Sequence, residues 1–194
     1  MMEMKKNITE KELISLIEAM LKAEKKDIII AIDGRCASGK TTLGEKLKNI
    51  FGGNLFHADD YFLRPQQRTE ERLTLPGGNF DRERFHEEII KGILSGNDFS
   101  YTPFDCSLLA LGEKREVKRN RLSIIEGSYS CHPEISESYD MKIFVTTDKA
   151  AQESRILSRN REKAPMFFSK WIPFEEKYFS HFGIEESCDY LIVT

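Results

Sequence analysis

Apolar positions along the chain follow two different periods, and their alternation outlines the fold. Within residues 1–26, Leu13, Leu16, Ile17, Met20 and Leu21 recur at the spacing that gathers side chains on one helical face. Thr9 and Glu12 have capping-box spacing, and Ile8 with Leu13 suits the hydrophobic staple around it. Such a stripe most simply packs against its own domain. The pattern then changes. Asp27–Asp33 encloses a short unbroken run of mostly β-branched residues, as expected of a strand buried on both faces.

After a glycine-rich turn, Leu43, Leu47 and Ile50 share a helical face, which Gly52-Gly53 ends. Asn54–Ala58 reads as a second strand, and Asp81 as the N-cap of a helix reaching Leu94. Leu122–Ile125, Met141–Thr146 and Tyr190–Val193 are three further strand-like runs. Lys149–Arg159 and Phe174–Phe182 read as helices, with Pro165 and Pro173 breaking the segment between them. Strands alternating with helices predict an α/β fold with a five-stranded parallel sheet and helices on both faces. No repeat or linker divides residues 1–194, so one domain is expected.

Composition narrows the classes of function. A net charge of −3 gives the molecule no general attraction to nucleic acid, and the basic run Lys114–Arg121 reads as a solvated face. Ile28–Ile32 is far too short to span a bilayer, and no apolar signal segment opens the chain. The four cysteines form no C-x-x-C pair and suit a reducing compartment. A cytoplasmic protein is expected, with no nucleic-acid or membrane partner. Homo-oligomerisation is left open.

One segment carries specific chemistry. Gly34, Arg35, Cys36, Ala37, Ser38, Gly39, Lys40 and Thr41 match G-x-x-x-x-G-K-[ST], between a buried strand and a helix. Glycines let main-chain N–H groups cradle phosphate oxygens, and the positive end of the following helix assists. Lys40 can reach the β- and γ-phosphates of ATP, Thr41 can ligate Mg²⁺, and Thr42 completes the loop. The pattern predicts a P-loop NTPase-type three-layer fold.

Carboxylates at strand ends add to this. His57-Ala-Asp59-Asp60-Tyr61-Phe62 follows the second strand, and Leu122–Ile125 ends in Glu126-Gly127. In an open parallel sheet these ends face the ligand crevice. Asp59 or Asp60 can take a proton from an attacking hydroxyl or help hold Mg²⁺, although paired aspartates also cap turns. Glu126 suits Mg²⁺ or its water shell. Arg155, Arg159, Arg161 and Lys163, within a lid of about 155–170, can neutralise charge on a transferred phosphoryl group, or else solvate a helix face.

These residues resemble the uridine kinase-like branch of P-loop kinases, whose relatives include phosphoribulokinase, pantothenate kinase and nicotinamide riboside kinase. The resemblance runs from about Asp27 to Thr194. It implies Asp59 as the catalytic acid/base, with Tyr61 beside the substrate, and Lys40, Arg159 and Arg161 as catalytic cations. Asn79-Phe80-Asp81 is similar to the family segment whose aspartate contacts the substrate sugar, and Phe104 stands where an aromatic lies against the acceptor. Arg155 belongs to the lid that meets substrate, while Thr41, Glu126 and Asp59 make up the metal set. Two departures bear on the acceptor. Phe104 replaces the family tyrosine, and Cys106–Leu109 carries no histidine.

The expected activity is ATP- and Mg²⁺-dependent phosphorylation of a small-molecule hydroxyl, with a nucleoside as first acceptor. Alternatives are pantothenate, a sugar phosphate or a vitamin nucleoside, or a non-catalytic ATP-binding module. Cys36 lies near a helix N-terminus and Lys40, both of which lower a thiol pKa, so oxidation is one expectation, although it reads first as a small residue tolerated in the loop. The histidines show no ligand spacing and read as ordinary, and Trp171 reads as core.

Overall fold

The computed structural model describes residues 6–159 and 161–194. The start of the predicted first helix, residues 1–5, and Asn160 in the predicted lid lie outside the described residues. A two-residue strand β1 (Lys6–Asn7) leads into helix α1 (Glu10–Ala23), shorter than the predicted 1–26. The capping box forms as expected: Thr9 Oγ1 accepts from the Glu12 N–H, and the Glu12 carboxylate accepts from the Thr9 N–H. Strand β2 (Ile28–Gly34) is buried along its whole length, and helix α2 (Lys40–Phe51) follows the glycine-rich turn. Gly52, at φ +70°, caps α2 through its N–H to the Lys48 carbonyl. Ile50, assigned by its spacing to the packed face, is instead half exposed.

Strand β3 (Asn54–His57) ends in a 3₁₀ turn, Ala58–Tyr61. Beyond a short helix α3 (Glu70–Thr74), Asp81 caps a helical run made of α4 (Arg82–Phe85), a π-helical turn (His86–Ile90) and α5 (Lys91–Leu94). Small antiparallel pairs follow: β4 (Phe99–Tyr101) with β7 (Arg115–Val117), and β5 (Phe104–Asp105) with β6 (Ala110–Leu111). Then come β8 (Leu122–Glu126), β9 (Met141–Thr146) and α6 (Lys149–Arg159). Helices α7 (Ala164–Met166), α8 (Ile172–Phe182) and α9 (Ile184–Ser187) precede the last strand, β10 (Tyr190–Val193).

The prolines do not break the lid segment as expected. Pro165 and Pro173 sit in the first turns of α7 and α8, and a π-helical turn (Phe167–Trp171) joins the two helices. For Pro165 a first-turn position needs no N–H, whereas Pro173 follows directly on the π-helical turn.

The main sheet has six parallel strands in the order β1-β10-β9-β2-β8-β3, one more than predicted. The added edge strand β1 is polar and exposed and pairs only through its backbone with β10, so no apolar period announces it. Period-two alternation divides the sheet between two cores. Ile28, Ile30 and Ile32 pack with Leu13 and Ile17 of α1 and with Leu43 and Leu47 of α2. Ile29 and Ala31 face Phe85, Ile89, Tyr178 and Phe179 from the helices on the opposite side. Among the described residues no helix is long and apolar enough to cross a membrane.

The basic run Lys114–Arg121 is largely neutralised locally: Arg115 pairs with Asp60, Lys118 with Asp98 and Arg119 with Asp27. Helix α1 packs as part of the domain, since Leu13 and Ile17 are completely buried. Replacing Ile17 with Ala therefore leaves a cavity beneath the sheet. The expected cost is about 2–5 kcal/mol of stability, read as a lower urea midpoint with an unchanged slope.

Candidate active site

The glycine-rich turn is held at its carbonyls by side-chain donors, and the N–H groups of Gly34, Arg35, Cys36 and Ser38 also have acceptors within the protein. Lys40 Nζ donates to the carbonyls of Gly34 at 2.7 Å and Arg35 at 2.9 Å. The Cys36 carbonyl accepts from Gln152 Nε2 at 2.9 Å, and that of Ala37 from Arg155 Nη1 at 3.1 Å. Thr194 Oγ1 donates to the Ser38 carbonyl at 2.9 Å. Five successive carbonyls are thus engaged by donors. Ala37 adopts φ +57° and Gly39 φ +96°, the alternation of backbone hand that turns successive N–H groups into one concavity. Gly39 is also the N-cap of α2 and offers the first-turn N–H groups no side-chain acceptor. Gly34 is required for a different reason: a Cβ there would stand 2.0 Å from the Val145 carbonyl oxygen on β9.

Arg35 turns away from this concavity. Its guanidinium bonds Glu176 at 2.8 and 3.2 Å and Glu185 at 3.0 Å, and lies over the rings of Phe144 and Phe179. Its side chain clamps the loop to α8 and α9 instead of facing a ligand. Arg155 likewise spends its guanidinium on the Ala37 carbonyl and Thr194, so it supports the loop and does not line the cleft.

Carboxyl ends of three adjacent strands meet the loop in a cleft of about 710 Å³, lined by Lys40 and Thr41, Asp59 and Glu126 among others. Glu126 is 4% exposed and links the pieces. Its Oε2 accepts from Thr41 Oγ1 at 3.1 Å, and its Oε1 meets His57 Nδ1 at 2.5 Å. That hydrogen bond raises the His57 pKa against the opposing effect of burial. His57, expected to be ordinary, therefore orients the cleft glutamate; its place beside a strand-end carboxylate was the available signal.

Asp59 is open to the cleft solvent, yet the walls crowd around it. This partial withdrawal from bulk water raises its carboxyl pKa, Lys40 lowers it, and Glu126 raises it again. Asp60 is different: Arg115 Nη1 holds its carboxylate at 2.9 Å, and it does not line the cleft. Backbone geometry thus separates two neighbours that the sequence leaves equivalent.

Glu175 and Ser128 add a polar wall absent from the sequence reading. Glu175 accepts from Ser128 Oγ at 2.7 Å and from the Cys36 N–H at 3.0 Å, and burial raises its pKa. The same burial corrects the expectation for Cys36. Withdrawal from water and the Glu175 carboxylate push its thiol up to about 11, against the pull of Lys40.

Several other expected substrate residues lie elsewhere. Tyr61 is buried, donates to Glu88 at 2.9 Å and packs edge-on against Phe85; its neighbour Phe62 lines the cleft instead. Asp81 is 1% exposed and caps α4 through the Arg84 N–H, while Arg84 Nε lies 3.4 Å from it. Phe104 is buried beneath Arg68. Within the lid Arg159 reaches the cleft, whereas Arg161 faces a shallow depression between α6 and solvent. Lys163, Phe167, Lys170, Trp171 and Phe174 complete this wall. Trp171, expected as core, is 37% exposed and meets Phe167 edge-to-face at 4.4 Å. A lid is helical on both sides, so linear periodicity could not show which turn faces inward.

A phosphate-cradling loop between a central parallel strand and its helix, beside strand-end acids, defines a P-loop fold of the kinase type. No family model matches the chain. A uridine kinase from Chlamydia pneumoniae is 30% identical over 142 residues, which make up 68% of this chain and 62% of that relative. The match thus spans less than two thirds of the relative's length. Among solved structures, that of a possible uridine kinase from Bacillus stearothermophilus aligns with a TM-score of 0.69 at 18% identity, covering 94% of this chain and 98% of that one. A D-glycerate 3-kinase from Cryptococcus neoformans aligns with a TM-score of 0.68 at 14% identity, over 95% and 94% of the two chains. The chain has the P-loop kinase fold and is similar to the uridine kinase-like branch of it.

Because the Cys36 thiol is held protonated, mild peroxide should leave binding of a nonhydrolysable ATP analogue unchanged. Iodoacetamide at neutral pH, mapped by mass spectrometry, should modify the exposed Cys106 before Cys36.

Proposed function

We propose that this protein is an ATP- and Mg²⁺-dependent kinase that transfers the γ-phosphate of ATP to a hydroxyl of a small molecule. One observation carries the reading: Lys40, Thr41, Asp59 and Glu126 line a single cleft at the mouth of the glycine-rich loop. A polyphosphate bound along residues 34–42 would meet main-chain amides, Lys40 and Arg159. Asp59, in the turn after β3, would accept the proton of the attacking hydroxyl as the new O–P bond forms and ADP departs. Lys40 and Arg159 would stabilise charge gathering on the transferred group.

Thr41 and Glu126 present hydroxyl and carboxylate oxygens only 3.1 Å apart, hard donors suited to Mg²⁺. Bound there, the ion would supply charge neutralisation on the phosphates, with Asp59 near enough in the same cleft to join its outer shell. His57 would keep Glu126 aimed at that position. Desolvation within the cleft strengthens each of these interactions.

The uridine kinase relative supports a nucleoside as acceptor. A second reading, pantothenate or a sugar phosphate, is favoured by the lining at the acceptor end. Phe62, Leu63, Leu73, Cys106 and Leu109 there supply little hydrogen bonding for a base.

Asp59→Asn removes the proton acceptor without changing shape. Turnover, followed by coupled ADP release over a panel of hydroxyl acceptors, should fall roughly 10²–10⁴-fold, while affinity for a nonhydrolysable ATP analogue persists. Unchanged turnover would mean that another group takes the proton. The raised carboxyl pKa also sets a sign for pH dependence. Asp59 acts only when ionised, so kcat should decline as pH falls through that raised value, above the ordinary carboxylate range. The acid limb should vanish in Asp59→Asn.

A further inference from the structure

Arginines are numerous between β3 and β8, and among the described residues nearly all are committed to protein partners. Arg72 is bidentate to Glu83, Arg82 pairs with Glu134, and Arg84 bonds the Thr102 carbonyl and lies over Tyr61. Arg64 bonds Gln67, and Arg115 holds Asp60. Arg68 differs. Its Nε donates to the Leu63 carbonyl at 2.8 Å, and its guanidinium carbon lies 5.7 Å from the Phe104 ring centroid. Among the described residues no carboxylate lies within ion-pairing distance of it, and its two terminal nitrogens have no hydrogen-bond acceptor. A guanidinium fixed at one nitrogen and resting on an aromatic face presents its remaining fork with little entropy left to lose.

The surroundings indicate what that fork would take. Arg68 lines the cleft together with Phe62, Leu63, Leu73 and Leu109, apolar walls that strengthen a charge-assisted bond. Its charge and that of the proposed proton acceptor both act on Cys106. Beyond burial, which raises the Cys106 thiol most, that group is pulled down by Arg68 and pushed up by Asp59. The phosphate end of the cleft has its own cations in Lys40 and Arg159, so Arg68 is not needed for ATP. Asn79 and Tyr129 also line the cleft, and Asn79 acts on the Tyr129 hydroxyl.

We infer that Arg68 is a specificity-determining residue, and that the acceptor is a hydroxylated compound carrying an oxyanion, a carboxylate or a phosphate, which Arg68 grips while the hydroxyl meets Asp59. This inference rests on the kinase reading above. Carboxylate and phosphate present the same paired oxygens to a guanidinium, and the experiment separates them.

Coupled ADP release is measured with matched acceptors: glycerate against glycerol, pantothenate against pantothenyl alcohol, and a pentose phosphate against the free pentose, with uridine as the uncharged nucleoside. In at least one pair the anionic member should exceed its neutral partner roughly 100-fold in kcat/KM, the scale of a lost hydrogen-bonded charge. The productive pair tells carboxylate from phosphate. Arg68→Gln should raise KM for that acceptor by a similar factor and leave KM for ATP alone, and Arg68→Lys should restore part of the loss. Neutral acceptors or uridine used as well as the anions, or an anionic KM unmoved by Arg68→Gln, would overturn the inference and leave the kinase reading standing. Absence of turnover with every acceptor would count against the kinase reading. Calorimetry of the same anions on the protein loaded with an ATP analogue decides the inference separately: binding lost in Arg68→Gln supports it, and no binding removes it.

Discussion

Everything in the cleft depends on one constraint: the carbonyls of Gly34 through Ser38 are tied down by donors behind them. Peptide groups are rigid planes, so fixing a carbonyl also fixes the N–H across the same plane. Lys40, Gln152 and Arg155 of α6, and Thr194 supply those donors from three separate places in the chain. The loop is therefore shaped by tertiary structure as much as by its glycines. Gly34 has no room for a Cβ against β9, and Gly39 needs its left-handed backbone to start α2. Each glycine meets a different demand.

The same economy appears among the acids. Glu126 holds Thr41 with one oxygen and His57 with the other, so its carboxylate has little freedom to turn. Glu175 ties the Cys36 amide to Ser128 and draws α8 against the loop. Asp59 alone of the four acids in this neighbourhood lines the cleft without a bonded partner, whereas Asp60, one residue on, is neutralised by Arg115. A group poised to accept a proton must not already be fully hydrogen-bonded, and this distinguishes Asp59 from its neighbours.

Much of the framework was legible in the linear pattern because its causes are local or periodic. The unbroken β-branched run of β2, the capping box at Thr9, the Gly52 cap and the motif spacing from Gly34 to Thr41 all depend on residues close in sequence. Edge strand β1 was not legible, since it pairs through backbone groups that every residue carries. The lid prolines misled for a related reason. Pro165 sits in a first turn where no N–H is required, and Pro173 follows directly on a π-helical turn inside a continuous helical run.

The sequence by itself determined the fold class, the phosphate-cradling loop and the two strand-end acids, because spacing along a strand or turn fixes which groups arrive together. Only the tertiary structure decided which side chains look into the cleft. It turned Phe62 inward and Tyr61 into the core, sent Arg155 and Arg35 to brace the loop, and set Arg68 on the cleft wall, held at Nε by the Leu63 carbonyl. Side-chain direction there depends on packing between segments far apart in the chain, and ion pairs such as Arg35 with Glu176 have no periodic trace in the sequence. What kind of residue is present was written in one dimension; what it faces was settled in three.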